Sequence, residues 1–220
     1  QVPWPFHLKH VPWPSPVRPS RHIAASRRRR NMDPRRGRPT IYDKPLTKNK
    51  GEASLSAFAF MFSEVVDYCL KKANDMQELE ERLHELGVPV GMRVLDLYCC
   101  RENRNKRETR ILPMLNFVAQ IVWKQLFGHQ ADLLKGADHE NEYMLNDKTM
   151  LVNRFISVPR DYPVNCGAYV AGIVEGVLRS AEFPAAASAH TVDEPGGGTS
   201  TTILVRFEES VMARERRLER

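Results

Sequence analysis

The run RETRILPMLNFVAQIVWKQLFG, residues 107–128, constrains this chain more than any other stretch. Ile111, Leu112, Met114, Leu115, Phe117, Val118, Ile121, Val122, Trp123, Leu126 and Phe127 would make a helix apolar on most of its circumference. A helix of that kind is a buried one. A membrane span needs about 20 predominantly apolar residues, and Pro113, Asn116, Gln120, Lys124 and Gln125 interrupt the run. The spacing therefore predicts a central core helix. Gly128 is the expected stop, because glycine accepts the left-handed conformation that ends helices.

Charge divides the chain. Of 33 Lys/Arg and 27 Asp/Glu, residues 1–50 hold 13 and 2, which leaves 20 and 25 for the rest. The overall +6 is thus a tail of +11 on a body of −5. A folded body of that sign lacks the basic surface that phosphate contacts require, so we expect no nucleic-acid binding by it. Residues 1–31, rich in Pro, Arg and Ser, cannot build a core and are expected to be disordered. Translation is expected to begin at Met32, with the preceding residues from an upstream reading frame; a basic arm that touches anionic lipid or RNA is the functional alternative. Residues 32–50 read as a linker and 51–220 as one domain.

Within that domain Ser54 is placed to cap a helix from Leu55. Leu55, Phe58, Phe62, Val65, Val66 and Cys69 form one apolar stripe, Ala57, Met61 and Tyr68 a second beside it, and Phe60 stands apart. That is more apolar face than one core needs, so the surplus is either deep burial or a protein interface. Asn74 or Asp75 caps a second helix with a narrow Met76, Leu79, Leu83, Leu86 seam, which Gly87 should end. After VPVG, Met92 to Arg101 should form a further helix, followed by a polar turn. From Glu142 the runs YMLNDK and LVNRFISVP read as two antiparallel strands. NCGAYVAGIVEGVLRSAEF returns to a helix, ended by Pro184. AAASAHTVDE and TTILVRFEE read as two more strands before a charged final helix. Helices followed by strands around one helix predict an α+β domain: helices packed on one side of a twisted four-stranded antiparallel sheet.

Catalytic chemistry is hard to find. Cys69, Cys99, Cys100 and Cys166 show no CxxC or Cys/His spacing and read as reduced, buried thiols of a soluble intracellular protein. No asparagine heads an N-x-Ser/Thr sequon, and no continuous apolar region near the start suggests a secretory signal. Gly196–Gly198 lies between strand-like segments without Gly-Lys-Ser/Thr and reads as a hairpin loop. His139-Glu140 begins like a zinc motif, but Tyr143 stands where the second histidine belongs. His190 has no evident partner nearby in sequence. Cys166 precedes a helix, where a thiol can be activated, yet nothing else completes a nucleophilic site. We expect no catalytic, metal or cofactor site.

The blocks SLSAFAFMFSEVV, RVLDLYCCRENRNKRETRILPMLNFVAQIVWKQLFG, LVNRFISVP, NCGAYVAGIVEGVL and TTILVRFEESVMARERRLE, in order over residues 51–220, resemble the Bet-three-like small-subunit family of the transport protein particle (TRAPP) tethering complex, in its subunit 5 branch. The resemblance implies helices on one side of a twisted antiparallel sheet, as read above. It also implies a structural subunit, not an enzyme, in a core that tethers vesicles and acts as guanine-nucleotide exchange factor for a Rab-type GTPase in ER-to-Golgi and Golgi transport. The implied location is cytoplasmic, peripheral to endoplasmic reticulum and Golgi membranes. The implied partners are the Bet-three-like subunit and the sedlin-type subunit, with the GTPase and vesicle membranes reached indirectly. Leu55, Phe58, Met61, Phe62 and Val65 are then the candidate contact residues with the Bet-three-like neighbour. The Bet-three subunit carries an acylated cysteine shortly before an RET-like segment; here the matching place is close to Asn103, which cannot be acylated. The alternative function is a fatty-acyl binding module with a cavity near Leu115, Val118 and Val122.

Overall fold

The computed structural model describes residues 7–8, 54–102, 107–136, 139–158, 164–194 and 198–219. In chain order the elements are β1 (His7–Leu8), α1 (Leu55–Leu70), α2 (Met76–Glu102), α3 (Ile111–Asn116), a π-helical segment (Phe117–Val122), α4 (Trp123–Phe127), β2 (Asp132–Lys135), β3 (Glu142–Asp147), α5 (Leu151–Arg154), β4 (Ile156–Ser157), α6 (Gly167–Ser180), β5 (Ala185–Asp193), β6 (Thr199–Phe207) and α7 (Glu209–Leu218). The expectations for tail and linker, apart from the short β1–β4 pairing, fall outside the described residues. Among the described residues no helix is long and apolar enough to cross a membrane.

The sheet has the order β2-β3-β6-β5 with every pair antiparallel. Register puts Leu133, Leu145, Ile203 and Ala189 in one row, and Lys135, Tyr143, Val205 and Ala187 in the next. Leu145, Ile203 and Val205 are fully buried. The alternation of AAASA leaves alanine at each inward position from Ala185 to Ala189, and α6 can therefore lie close over β5. The four-stranded α+β architecture is as expected, but one strand is not. LVNRFISVP forms the short helix α5 and the two-residue β4, and the fourth strand of the sheet is Asp132–Lys135. Four residues bounded by Gly128 and Gly136 are too few to show a period of two.

Helix α6 is the most deeply buried helix among the described residues: Gly167, Ala168 and every residue from Val170 to Leu178 are buried. This corrects the role given to 107–128. That segment is helical from Ile111 to Phe127, and Gly128 ends it at φ 83° as expected, but Leu112, Pro113, Asn116, Gln120, Lys124 and Gln125 face solvent. Its middle widens into a π-helix, and the Ala119 carbonyl accepts a hydrogen bond from the Ala131 N–H at 3.0 Å, which ties the entry of β2 to the helix.

The second correction concerns α2, which runs unbroken for 27 residues through Gly87, Pro89 and Gly91. The glycines are contacts with α6 and do not end the helix. A Cβ on Gly87 would come within 2.1 Å of the Tyr169 carbonyl oxygen, and one on Gly91 within 2.0 Å of that of Ile173. In return, a Cβ on Gly172 would meet the His84 oxygen at 2.0 Å and one on Gly176 the Val88 oxygen at 2.1 Å. Two parallel helices thus touch backbone to backbone along four glycines. Pro89 lies on the exposed side of α2, away from this seam.

The helix ends follow local chemistry. Asp75 caps α2 by accepting the Glu78 N–H at 2.7 Å, while Glu78 reaches back to the Asn74 N–H at 2.7 Å. Ser54 occupies the first cap position of α1, but its hydroxyl makes no capping bond. Helix α6 ends before Pro184. The Glu182 N–H bonds to the Arg179 oxygen and the Phe183 N–H to the Leu178 oxygen, a Schellman arrangement that holds Glu182 at φ 65°. Buried Glu175 connects three elements. Its carboxylate accepts from Arg179 at 2.6 Å and from the Ala187 N–H of β5 at 3.2 Å, and His84 Nε2 of α2 lies 3.3 Å away.

Two stability outcomes follow. Gly172→Ala should lower the unfolding free energy by about 3 kcal/mol or more, because neither backbone can yield, read as a fall in the urea midpoint. Glu182→Gly should raise it by about 1 kcal/mol by relieving the left-handed penalty, read as a rise in the same midpoint.

Candidate functional site

The side chains that could carry chemistry lie apart. Cys166 is fully buried, and burial, aided by the nearby Glu80 charge, pushes its thiol up to about 12. Its position before α6 therefore does not activate it, since desolvation disfavours the thiolate. Cys69 is buried too, whereas Cys99 and Cys100 are exposed on α2, against the expectation of four buried thiols. His139 and Glu140 are exposed. His190 is exposed on β5, with Nε2 2.9 Å from Ser188 Oγ. Gly198 is described, at φ 143°, but Gly196 and Gly197 fall outside the described residues. Among the described residues no group of three or more His, Cys, Asp or Glu could hold a metal ion.

A buried polar cluster missed in the sequence has a structural role. Asp147, at the end of β3, accepts from Trp123 Nε1 at 2.9 Å on Oδ2 and from the Thr149 N–H at 2.8 Å on Oδ1, and His129 Nε2 lies 2.9 Å from the same Oδ2. Trp123 and the Asp147 carboxylate are inaccessible to solvent. The cluster pins α4 to the sheet and satisfies the indole N–H that burial of a tryptophan would otherwise orphan.

The surface of α1 is different. Its first stripe is the core face: Phe62, Val66 and Cys69 are buried, and Phe58 and Val65 are half-buried against them. Phe58 stacks on Phe62 at 5.8 Å, and Phe62 packs on Tyr169 of α6 at 5.4 Å. Phe62 at 2% exposure is therefore a core residue and has no surface to offer. The second stripe is the open one. Met61 is 57% exposed, Tyr68 56%, and Phe60, farther round, 57%, with Ala57 exposed beside them. Leu55 is exposed at the start of the helix. On α2, Leu86 and Leu97, eleven residues apart and so on one helical face, are also exposed. Large apolar side chains are thus left open to solvent on both helices.

The residues of the expected acyl cavity are closed. Leu115, Val118 and Val122 are all inaccessible within the core. The nearest groove opens instead between α2, α3 and the turn after α6.

The cysteines offer a direct check. At pH 8 in the native state, Cys99 and Cys100 should react with a maleimide while Cys166 stays unmodified, since a group with a pKa about four units above the pH is ionised only about once in ten thousand molecules; mass mapping of the adducts reads the outcome.

Comparison with known proteins agrees with this architecture. The family model "Transport protein particle (TRAPP) component" matches residues 58–208. "Trafficking protein particle complex subunit 5" of Dictyostelium discoideum is 47% identical over 177 residues, covering 79% of this chain and 95% of the relative. Its Homo sapiens counterpart of the same name is 42% identical over 186 residues, covering 84% and 96%. Among solved structures, a trafficking protein particle complex subunit 3 from Naegleria fowleri, covalently bound to palmitic acid, superposes with a TM-score of 0.60 at 18% identity over 70% of this chain and 95% of that one. That likeness shows the fold, the relatives and the matched region show the lineage, and the chain belongs to the transport protein particle (TRAPP) component family.

Proposed function

We propose that this chain is the subunit 5 building block of a TRAPP tethering complex and that the open α1 stripe is where a neighbouring small subunit docks. Support comes from Phe60, Met61 and Tyr68, three large apolar side chains more than half exposed on one helix of a chain from this family. A free apolar surface of this kind is costly to a monomer and useful to a subunit. Leu55 belongs to the docking surface as an exposed residue, and Phe58 and Val65 belong to its edge. Phe62 supports them from beneath.

On this reading the partner is the Bet-three-like subunit, with the sedlin-type subunit joining elsewhere in the complex. Exchange on a Rab-type GTPase belongs to the assembly, and so does peripheral attachment to endoplasmic reticulum and Golgi membranes. The chain itself supplies shape and contact and carries out no reaction. A fatty-acyl ligand seated at Leu115, Val118 and Val122 would have to displace closely packed core side chains.

Co-expression with the Bet-three-like subunit of the same organism, followed by size-exclusion chromatography with light scattering, should give a one-to-one complex. Met61→Glu should weaken it at least about tenfold, since a carboxylate at the centre of an apolar contact is left desolvated and unpaired. The thermal midpoint of the isolated chain should barely move. Undiminished pairing would remove α1 from the interface, and no pairing by the unaltered chain would remove the partner.

A further inference from the structure

A groove of about 440 Å³ lies at the end of the molecule where α2 and α6 finish and α3 begins. Its floor is Leu95 and Tyr98 of α2 with Met114 and Phe117 of the helix beneath. Among the described residues its lining carries three carboxylates, Asp96, Glu108 and Glu182, and the Arg107 guanidinium, which directs Nη2 to the Ala181 carbonyl at 3.3 Å; Arg214, outside the lining, donates to the Glu182 carbonyl at 2.9 Å. Glu182 is also the non-glycine residue held at φ 65°, so its carboxylate is carried on a backbone that would rather be glycine. The groove lies apart from the exposed side chains of α1, none of which lines it.

We propose that this groove docks an extended peptide segment of a partner chain bearing one large apolar side chain flanked by lysine or arginine. The volume suits one such anchor, and the floor offers aromatic and thioether surface for it. The acidic rim complements flanking cations and discriminates against nucleic acid and anionic lipid. A bare acyl chain fits poorly: the rim is charged, the groove is open to solvent, and the core residues Leu115, Val118 and Val122 leave no apolar path inward. Asp96 is exposed, so it can approach a partner cation without a desolvation cost to the free chain.

The test uses the full chain and a fluorescein-labelled peptide, Lys-Arg-Ala-Trp-Lys-Arg, followed by anisotropy. Saturable binding is expected. It should weaken at least about tenfold on raising salt from roughly 50 mM to 500 mM, because rim contacts are screened. Asp96→Lys with Glu182→Lys should weaken it similarly; should that pair not fold, Asp96→Lys alone carries the comparison. Cys99 also lines the groove, so bound peptide should slow its maleimide labelling in a Cys100→Ser background. Absence of binding, binding indifferent to charge reversal, or equal binding of a peptide with alanine for Trp would each overturn the proposal. So would an acyl group found on Cys99 of the purified chain by mass spectrometry.

Discussion

The backbone contact between α2 and α6 sets the rest of the structure. Four glycines, two from each helix, allow the chains to approach until carbonyl oxygens stand where side chains would otherwise begin. Close approach of this kind gains dispersion and Cα–H···O contacts along the whole seam. It also decides what α6 can be. With α2 on one side and the alanines of β5 on the other, α6 is buried over most of its length, and the sequence GAYVAGIVEGVL matches that with small and β-branched residues at most positions.

Because α2 is fixed by its glycines, the position of α1 follows from α2 and Tyr169. Phe62 fills the space between them, and its stacking partner Phe58 extends the contact toward the helix start. Once that side is used, Ala57, Met61 and Tyr68 have nowhere inside to go. The open stripe is thus a by-product of the seam: a helix with two apolar sides meets a core with room for one. At the far end, the same parallel run of α2 and α6 brings their C-terminal turns together, and the acidic-rimmed groove forms between them.

Much of this was legible in the residues. Two stripes on α1, the helix of α6, three of the four strands and the Gly128 stop all follow from local periodicity and glycine chemistry. What was not legible depended on distance in sequence. A helical wheel shows two apolar stripes but not which one meets Tyr169, more than a hundred residues away, and so Phe62 read as surface. Gly87, Pro89 and Gly91 carry the local signature of a helix end, and only contact with Gly172 and Gly176 turns them into an interior. Asp147 and Trp123 are 24 residues apart, each unremarkable alone. DLLK is shorter than any period that would betray it.

Glu175 has an implication for how such a chain behaves in company. Strand β5 is nine residues long and lies at the border of the sheet, where unpaired amides invite another strand to add on. By taking the Ala187 N–H, the carboxylate from α6 occupies one rung of that ladder with a charge held in place by Arg179. An incoming strand would find that bond taken and an ion pair beside it. On this border the charge therefore works against strand addition, and contact made there would have to go through side chains, which can tell one neighbour from another.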